Sequence, residues 1–130
     1  MKLKAYNLGA CGMCQMFHAG TVNFDTEGIA TGVPIIKVPA GLIVTRAVAV
    51  VTTAFNAATT NVLTVGKKGN ANEIFGDTDI TEGTPGTYQK NVFVDMGSET
   101  EIYVKYTQTG SAASAGSAEI YLEVVPAPLS

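Results

Sequence analysis

Apolar and polar residues alternate with a period of two in several segments of this chain. The clearest apolar positions are Val92, Val94 and Met96 in one segment, Ile102, Val104 and Tyr106 in a second, and Ile120, Leu122 and Val124 in a third. A period of two is typical of β-strands that bury one face, because successive side chains of a strand point to opposite sides. The pattern therefore predicts strands at 92–96, 101–109 and 118–125, with these residues facing inward.

The longest predicted strand covers residues 42–53. Its alternation places four apolar residues on one face, interrupted by Arg46, and three small residues on the other. The first set is Leu42, Val44, Val48 and Val50, and the second is Thr45, Ala47 and Ala49. Shorter strands are predicted at 35–38 and 61–65, and the Pro39-Ala40-Gly41 turn separates the first of these from the long strand.

The number and spacing of these segments predict an all-β fold. Six to eight strands at intervals of roughly ten residues, joined by Gly-rich turns, are typical of an antiparallel β-sandwich or jelly-roll. Residues 67–90 are predicted to form a long crossing loop between two sheets, anchored to the core by Ile74, Phe75 and Ile80. Helical periodicity is not visible in any segment.

Residues 1–32 lack a clear helical or strand period, and they are rich in Gly and short side chains. Such a stretch suits either an arm that packs on a neighbouring subunit or a pair of short strands. We divide the chain on the first interpretation, into an N-terminal arm at 1–32 and a sandwich domain at 33–130. The predicted interface residues are Met13, Met16, Phe17 and Phe24 of the arm, together with the outward-facing Tyr103 and Tyr121.

Composition narrows the class of protein. The chain has 130 residues, of which 46% are hydrophobic and 15% charged, and its formal net charge is −3. These values exclude a disordered tail, which needs low hydrophobicity and high net charge. The acidic balance argues against a nucleic-acid binder that uses a basic stripe. No apolar run reaches the length of a membrane-spanning helix, and the N-terminal residues do not resemble a signal peptide.

The sharpest local motif is Cys11-Gly12-Met13-Cys14, with His18 four residues further on. Two thiolates at this spacing can bind zinc, and His18 could supply a third ligand. A fourth ligand would have to be Asp25, Glu27 or a residue of another subunit. A redox role would need a βαβ context that the sequence lacks. The simplest interpretation is two reduced cysteines that pack as small apolar residues, so we expect no metal or other cofactor.

A second candidate motif is the acidic stretch Asp77, Asp79 and Glu82 between Gly76 and Gly83. Its carboxylates could gather around calcium, but the spacing does not match an EF-hand, and an exposed acidic loop is the simpler explanation. Nucleophilic catalysis would depend on the single His, and no nucleophile elbow or phosphate-binding loop is present. We therefore expect a protein that is not an enzyme.

Several motifs together carry a resemblance to a known class of proteins. They are Val38-Pro39-Ala40-Gly41, the alternating run 44–51, Thr53-Ala54-Phe55-Asn56, Leu63-Thr64-Val65-Gly66 and the closing segment 114–123. This pattern resembles small virion proteins of tailed bacteriophages, of the decoration, cement or head-fibre type. The resemblance covers roughly residues 34–125. It does not include Cys11, Cys14 or His18.

The resemblance implies a structural role in a virion. It implies a sandwich or jelly-roll, often trimeric, that binds the major capsid protein on the outside of the head after assembly in the host cytoplasm. A tail, neck or fibre component is the alternative within the same class. Outside that class, a carbohydrate-binding module would use the 67–90 loop, with Phe75 and Tyr88 as its aromatic platform.

Overall fold

The computed structural model describes residues 15–126, and this part of the chain contains eight β-strands and no helix. The strands are β1 (Gln15–Asn23), β2 (Val33–Val38), β3 (Leu42–Thr53), β4 (Thr60–Lys67), β5 (Asn70–Phe75), β6 (Gly86–Met96), β7 (Thr100–Thr109) and β8 (Ser117–Pro126). Within residues 15–126 there is accordingly no helix that could span a membrane.

The strands form two antiparallel sheets of four strands each. The first sheet has the order β1-β8-β3-β6, and the second has the order β2-β7-β4-β5. Apart from the β4–β5 hairpin, neighbours in each sheet are not consecutive in sequence, so the chain crosses repeatedly between the two sheets. The prediction of an all-β, antiparallel sandwich is therefore confirmed.

The core lies between the two sheets. The inward faces predicted for β6, β7 and β8 are confirmed, because the following side chains are buried: Val94, Met96, Ile102, Val104, Tyr106, Ile120, Leu122 and Val124. The rings of Phe55 and Tyr106 pack against each other within the core, with centroids 4.8 Å apart. Burial of this alternating set is the main favourable term for the fold, at about 1.5–3 kcal/mol for each large apolar side chain.

The predicted faces of β3 are wrong beyond Val44. The pairing register shifts between Val44 and Arg46 against both neighbouring strands. After this shift Ala47, Ala49 and Val51 are buried, while Val48 and Val50 of the predicted inner face are only half-buried. An irregularity of this kind exchanges the two faces of a strand, because side-chain direction has a period of two.

The prediction of a loop at 67–90 is also wrong in part, since β5 and the first residues of β6 lie within it. A glycine makes the β4–β5 hairpin possible. A Cβ atom on Gly66 would lie 2.2 Å from the carbonyl oxygen of Asn70, so no other residue allows this close approach of the backbone. The anchoring role of Ile74, Phe75 and Ile80 is confirmed, because all three are buried in the core.

The described part of the predicted arm, residues 15–32, belongs to the sandwich. Strand β1 pairs with β8 of the same chain, with a register shift between His18 and Gly20. Ala19, Val22 and Ile29 are buried in this chain's own core. The shift interrupts the alternation of β1, which is why no strand period is visible in the sequence. Residues 1–14 lie outside the described residues, so the prediction of an arm is corrected only for 15–32.

Candidate interaction surface

The outer face of the first sheet brings several predicted site residues together. The register places His18, Tyr121, Val48 and Gln89 in one row across the four strands. A neighbouring row contains Met16, Glu123, Arg46 and Asn91. Side chains in such rows lie within contact distance of the next strand, so the face is one continuous surface.

An ion pair and two hydrogen bonds hold the middle of this surface. The Arg46 guanidinium lies 3.5 Å from Glu123 Oε2 and donates a hydrogen bond of 3.1 Å to Gln89 Oε1. The Thr45 hydroxyl donates to Glu123 Oε1 at 3.1 Å. Arg46 Nε is buried and has no hydrogen-bond partner among the residues that the structure describes. These contacts link β3, β6 and β8, and they leave few charges free in the centre of the face.

A second polar group lies beside it, on β1 and β8. The His18 and Tyr121 rings are tilted against each other, with centroids 5.1 Å apart. The Tyr121 hydroxyl donates to Glu119 Oε1 at 3.0 Å, and this hydrogen bond raises the pKa of the Tyr121 hydroxyl. His18 Nε2 lies 3.5 Å from the same carboxylate oxygen. The group is half-exposed. Its rings can stack on an aromatic side chain of a partner, and the Glu119 carboxylate can accept a hydrogen bond from a partner.

Two large apolar side chains of the surface are exposed. Met16, on β1, is 41% exposed, and Phe93, on β6, is 75% exposed. Phe93 points outward because its neighbours Val92 and Val94 pack into the core. Met16 points outward in the same way, since the adjacent Phe17 packs against the core. The two exposed side chains lie on opposite outer strands of the sheet and so mark its two edges instead of forming one contiguous apolar patch.

The predicted interface residues are distributed over several places. Phe17 and Phe24 pack against this chain's own core, which accounts for their apolar character without a second subunit. Tyr103 is half-buried on the outer face of the second sheet, where its neighbour on β2 is Pro34. Met16 and Tyr121 lie on the outer face of the first sheet, and Met13 lies outside the described residues.

The metal hypotheses gain no support from the part of the chain that the structure describes. Cys11 and Cys14 lie outside it, and within 15–126 no group of three His, Cys, Asp or Glu side chains converges on one point. His18 is half-exposed beside Glu119, and neither Asp25 nor Glu27 joins it.

The acidic stretch has a structural use instead of a calcium site. Asp79 accepts hydrogen bonds from Lys90 Nζ and the Gly76 amide, both at 2.7 Å, and these lower the pKa of its carboxyl. Glu82 is 6% exposed and accepts the Leu63 amide at 2.8 Å. Burial raises the pKa of the Glu82 carboxyl, and the hydrogen bond from Leu63 opposes this effect. The two carboxylates therefore fasten the 76–86 segment to β4 and β6.

The aromatic platform of the carbohydrate hypothesis is not assembled. Phe75 is fully buried, and Tyr88 packs against the core while its hydroxyl donates to the Thr84 carbonyl at 2.6 Å. A shallow polar cleft does lie on the outer face of the second sheet. It is lined by Val62, Thr64, Gly69, Asn70, Ala71, Asn72, Asp77, Lys105 and Thr107, which include no aromatic residue.

Sequence reasoning did not select Phe93, the most exposed large apolar side chain of the described residues. The signal was present, because alternation in β6 places Phe93 opposite to Val92 and Val94. The sequence shows Arg46 as a charged residue that interrupts the apolar face of one strand, and Glu123 as an outward-facing residue of another strand. Their pairing depends on which strands are neighbours in the sheet, and the sequence does not contain that information directly.

Comparison with known proteins identifies the fold. No family model matches the sequence, and no curated protein matches it. Among solved structures, the chain is similar to a chain of the cyanophage Pam1 capsid asymmetric unit. The TM-score is 0.68 at 22% sequence identity, and the alignment covers 98% of this chain and 94% of that chain. The two proteins therefore share a fold over nearly their whole lengths.

Proposed function

We propose that this protein is a structural component of a bacteriophage virion, and specifically a decoration protein that binds the outside of the head and stabilises it. The observation that carries the proposal is the structural likeness to a chain of a phage capsid asymmetric unit over 98% of this chain. The motifs at 38–66 and 114–123, which resemble small phage virion proteins, support it independently of that likeness.

The character of the surface supports a binding role. On the outer face of the first sheet, between the two outer strands, the polar side chains are largely paired with one another. Charged side chains that are already paired can be covered by a partner at a smaller cost than unpaired charges. The major capsid protein of the same phage is the partner that we propose.

A homotrimer is the proposed state of assembly. Local threefold positions between capsomers present three equivalent contacts, and a cyclic trimer matches them by symmetry. Three weak contacts made by one rigid trimer also add through effective concentration, so each need bury only a modest area. Repeated over the shell, such contacts strengthen the head.

Binding to capsids tests the proposal. The full chain is purified, its mass is measured by light scattering, and it is mixed with heads assembled from the major capsid protein of the phage that encodes it. We expect a trimer that co-sediments with the heads and raises the temperature at which they break open. Co-sedimentation with isolated tails and none with heads would instead indicate a tail or neck component. Binding to neither would contradict a virion role.

A further inference from the structure

The two exposed large apolar side chains of the described residues occupy opposite edges of one sheet. Met16 lies on β1 and Phe93 on β6, which are the two outer strands of the first sheet. The register aligns Met16 through Glu123 and Arg46 with Asn91, only two residues from Phe93. Both side chains therefore lie on the same face and at nearly the same height along the strands.

Both outer strands are also long and free of Pro, and the edge protection that each carries is one register irregularity. Edge strands are commonly protected by shortness, by Pro, or by charged side chains, Lys above all. The nine residues of β1 include no Pro and no Asp, Glu, Lys or Arg. Strand β6 has eleven residues, and its only Lys, Lys90, is bound to Asp79.

The direction of the strands makes the two edges complementary to each other. In an antiparallel sheet of four strands, the two outer strands run in opposite directions. When β6 of one copy lies beside β1 of a second copy, the antiparallel alternation continues across the junction. Like charges do not meet at this junction, because the described residues of β1 include no Asp, Glu, Lys or Arg.

We propose that copies of this chain associate head to tail, with the β6 edge of one copy against the β1 edge of the next and Phe93 beside Met16. Two different patches meet in such an interface, so it does not form an isolated twofold dimer, and the closed trimer of the proposed function requires a rotation of one third of a turn between successive copies. The inference rests on the oligomeric state in the proposed function and specifies which surfaces produce it. It leaves the outer face between the two edges available to the capsid.

Cysteine cross-linking tests the pairing directly. In a Cys11→Ser/Cys14→Ser background, Met16→Cys and Phe93→Cys are prepared as two separate proteins and oxidised alone and as an equal mixture. Head-to-tail docking predicts covalent dimers in the mixture and none in either protein alone. The protein that carries both substitutions should give a series of products that ends at the closed ring. Cross-linking of either single variant with itself, at the rate seen in the mixture, would overturn the proposal.

Association measured without cross-linking provides a second test. Phe93→Ser should weaken self-association at least about tenfold, as expected for an apolar residue at the centre of an interface. Lys68→Ser, an exposed position in the turn between β4 and β5, is the control and should leave association unchanged. Equal effects of the two substitutions, or a wild-type chain that remains monomeric, would overturn the proposal.

The results separate this inference from the proposed function. Cross-links in the mixture without binding to heads would support head-to-tail docking and contradict the virion role. Binding to heads by an oligomer that gives no cross-links would support the virion role and overturn the docking. Both readouts use the full chain.

Discussion

In the second sheet, the outer strands β2 and β5 have six residues each, and β2 carries Pro34 and Lys37. In the first sheet, the outer strands β1 and β6 have nine and eleven residues and present Met16 and Phe93 to solvent. The same chain therefore protects one pair of edges by shortness, Pro and Lys, and leaves the other pair longer and protected mainly by register irregularities. Since an open edge invites pairing, the difference indicates which side of the sandwich is available for assembly.

In the second sheet, a hydrogen bond from β4 and a close approach of β5 protect the edge of β4. The Glu82 carboxylate accepts the amide of Leu63, a residue of β4 that has no partner on β5. Further along β4, Gly66 lets β5 fold back closely enough to pair with it. One side chain and one short strand thus cover the edge of β4, and each can be removed separately.

The largest effect is expected for Gly66→Ala. Its Cβ would lie 2.2 Å from Asn70 O, 2.6 Å from Ala71 C and 2.8 Å from Glu73 N, so β5 would have to move away from β4. We expect a loss of more than about 3 kcal/mol in the free energy of unfolding, measured by urea denaturation, because overpacking against backbone is relieved poorly. Gly97→Ala is the matched control, since nothing lies within 4 Å of its added Cβ. Equal stability of the two variants would contradict this account of the hairpin.

A smaller, pH-dependent effect is expected for Glu82→Gln. Burial raises the pKa of Glu82 in the folded state above its ordinary value of 4.5. The folded protein therefore holds this proton more tightly than the unfolded chain. The tighter binding of this proton stabilises the folded protein. The stabilisation is fully present below about pH 4.5 and is lost as the pH rises through the folded-state pKa of Glu82. Glu82→Gln should flatten this part of the stability profile and raise stability at neutral pH.

Exposed Glu99→Gln serves as the control for Glu82→Gln, and it should leave the slope unchanged. Urea denaturation across a series of pH values measures both variants. A Glu82→Gln profile with the wild-type slope would show that Glu82 does not titrate differently in the two states.

The fold could be predicted where strands stay regular. Alternation identified the inner faces of β7 and β8, because no register shift interrupts either strand's own period. It failed in β3, where the shift after Val44 exchanges the faces, and in β1, where a shift lies next to Ala19. It also missed β5, a polar segment that is held as a strand by the close approach at Gly66.

The candidate surface could be predicted only residue by residue. Outward positions such as Tyr121 and Phe93 follow from alternation, but the rows that they form depend on the strand order. Phe24 illustrates the limit, because a similar apolar residue outside any regular strand packs into the core. Exposure depends on what the rest of the chain covers, and strand periodicity does not contain that information.

A further test would remove the protection of β2. The double substitution Pro34→Thr/Lys37→Ile restores a backbone donor and removes a charge from this edge of the second sheet. We expect a change in stability within about 0.5 kcal/mol, as for most surface positions, together with new assemblies larger than the wild-type oligomer. Lys68→Ile, an exposed position in the β4–β5 turn, is the control in sedimentation measurements. Absence of new assemblies would weaken the contrast between the two sheets.

The smallest effect is expected for Tyr121→Phe. The variant loses the hydrogen bond to Glu119 and keeps the ring that contacts His18. Because both hydrogen-bonding groups reach water, we expect the free energy of unfolding to fall by less than about 0.5 kcal/mol, and self-association should not change. Thermal unfolding and light scattering check both expectations. A large loss of association would place the subunit contact in the middle of the first sheet instead of at its edges.

The most direct test of the account is an electron cryo-microscopy reconstruction of heads with this protein bound. We expect density on the outer surface of the shell, at local threefold positions, with the first sheets of three copies side by side and β6 of each copy against β1 of the next. Density confined to the tail or neck, or copies on the head that meet through the edges of the second sheet, would contradict it.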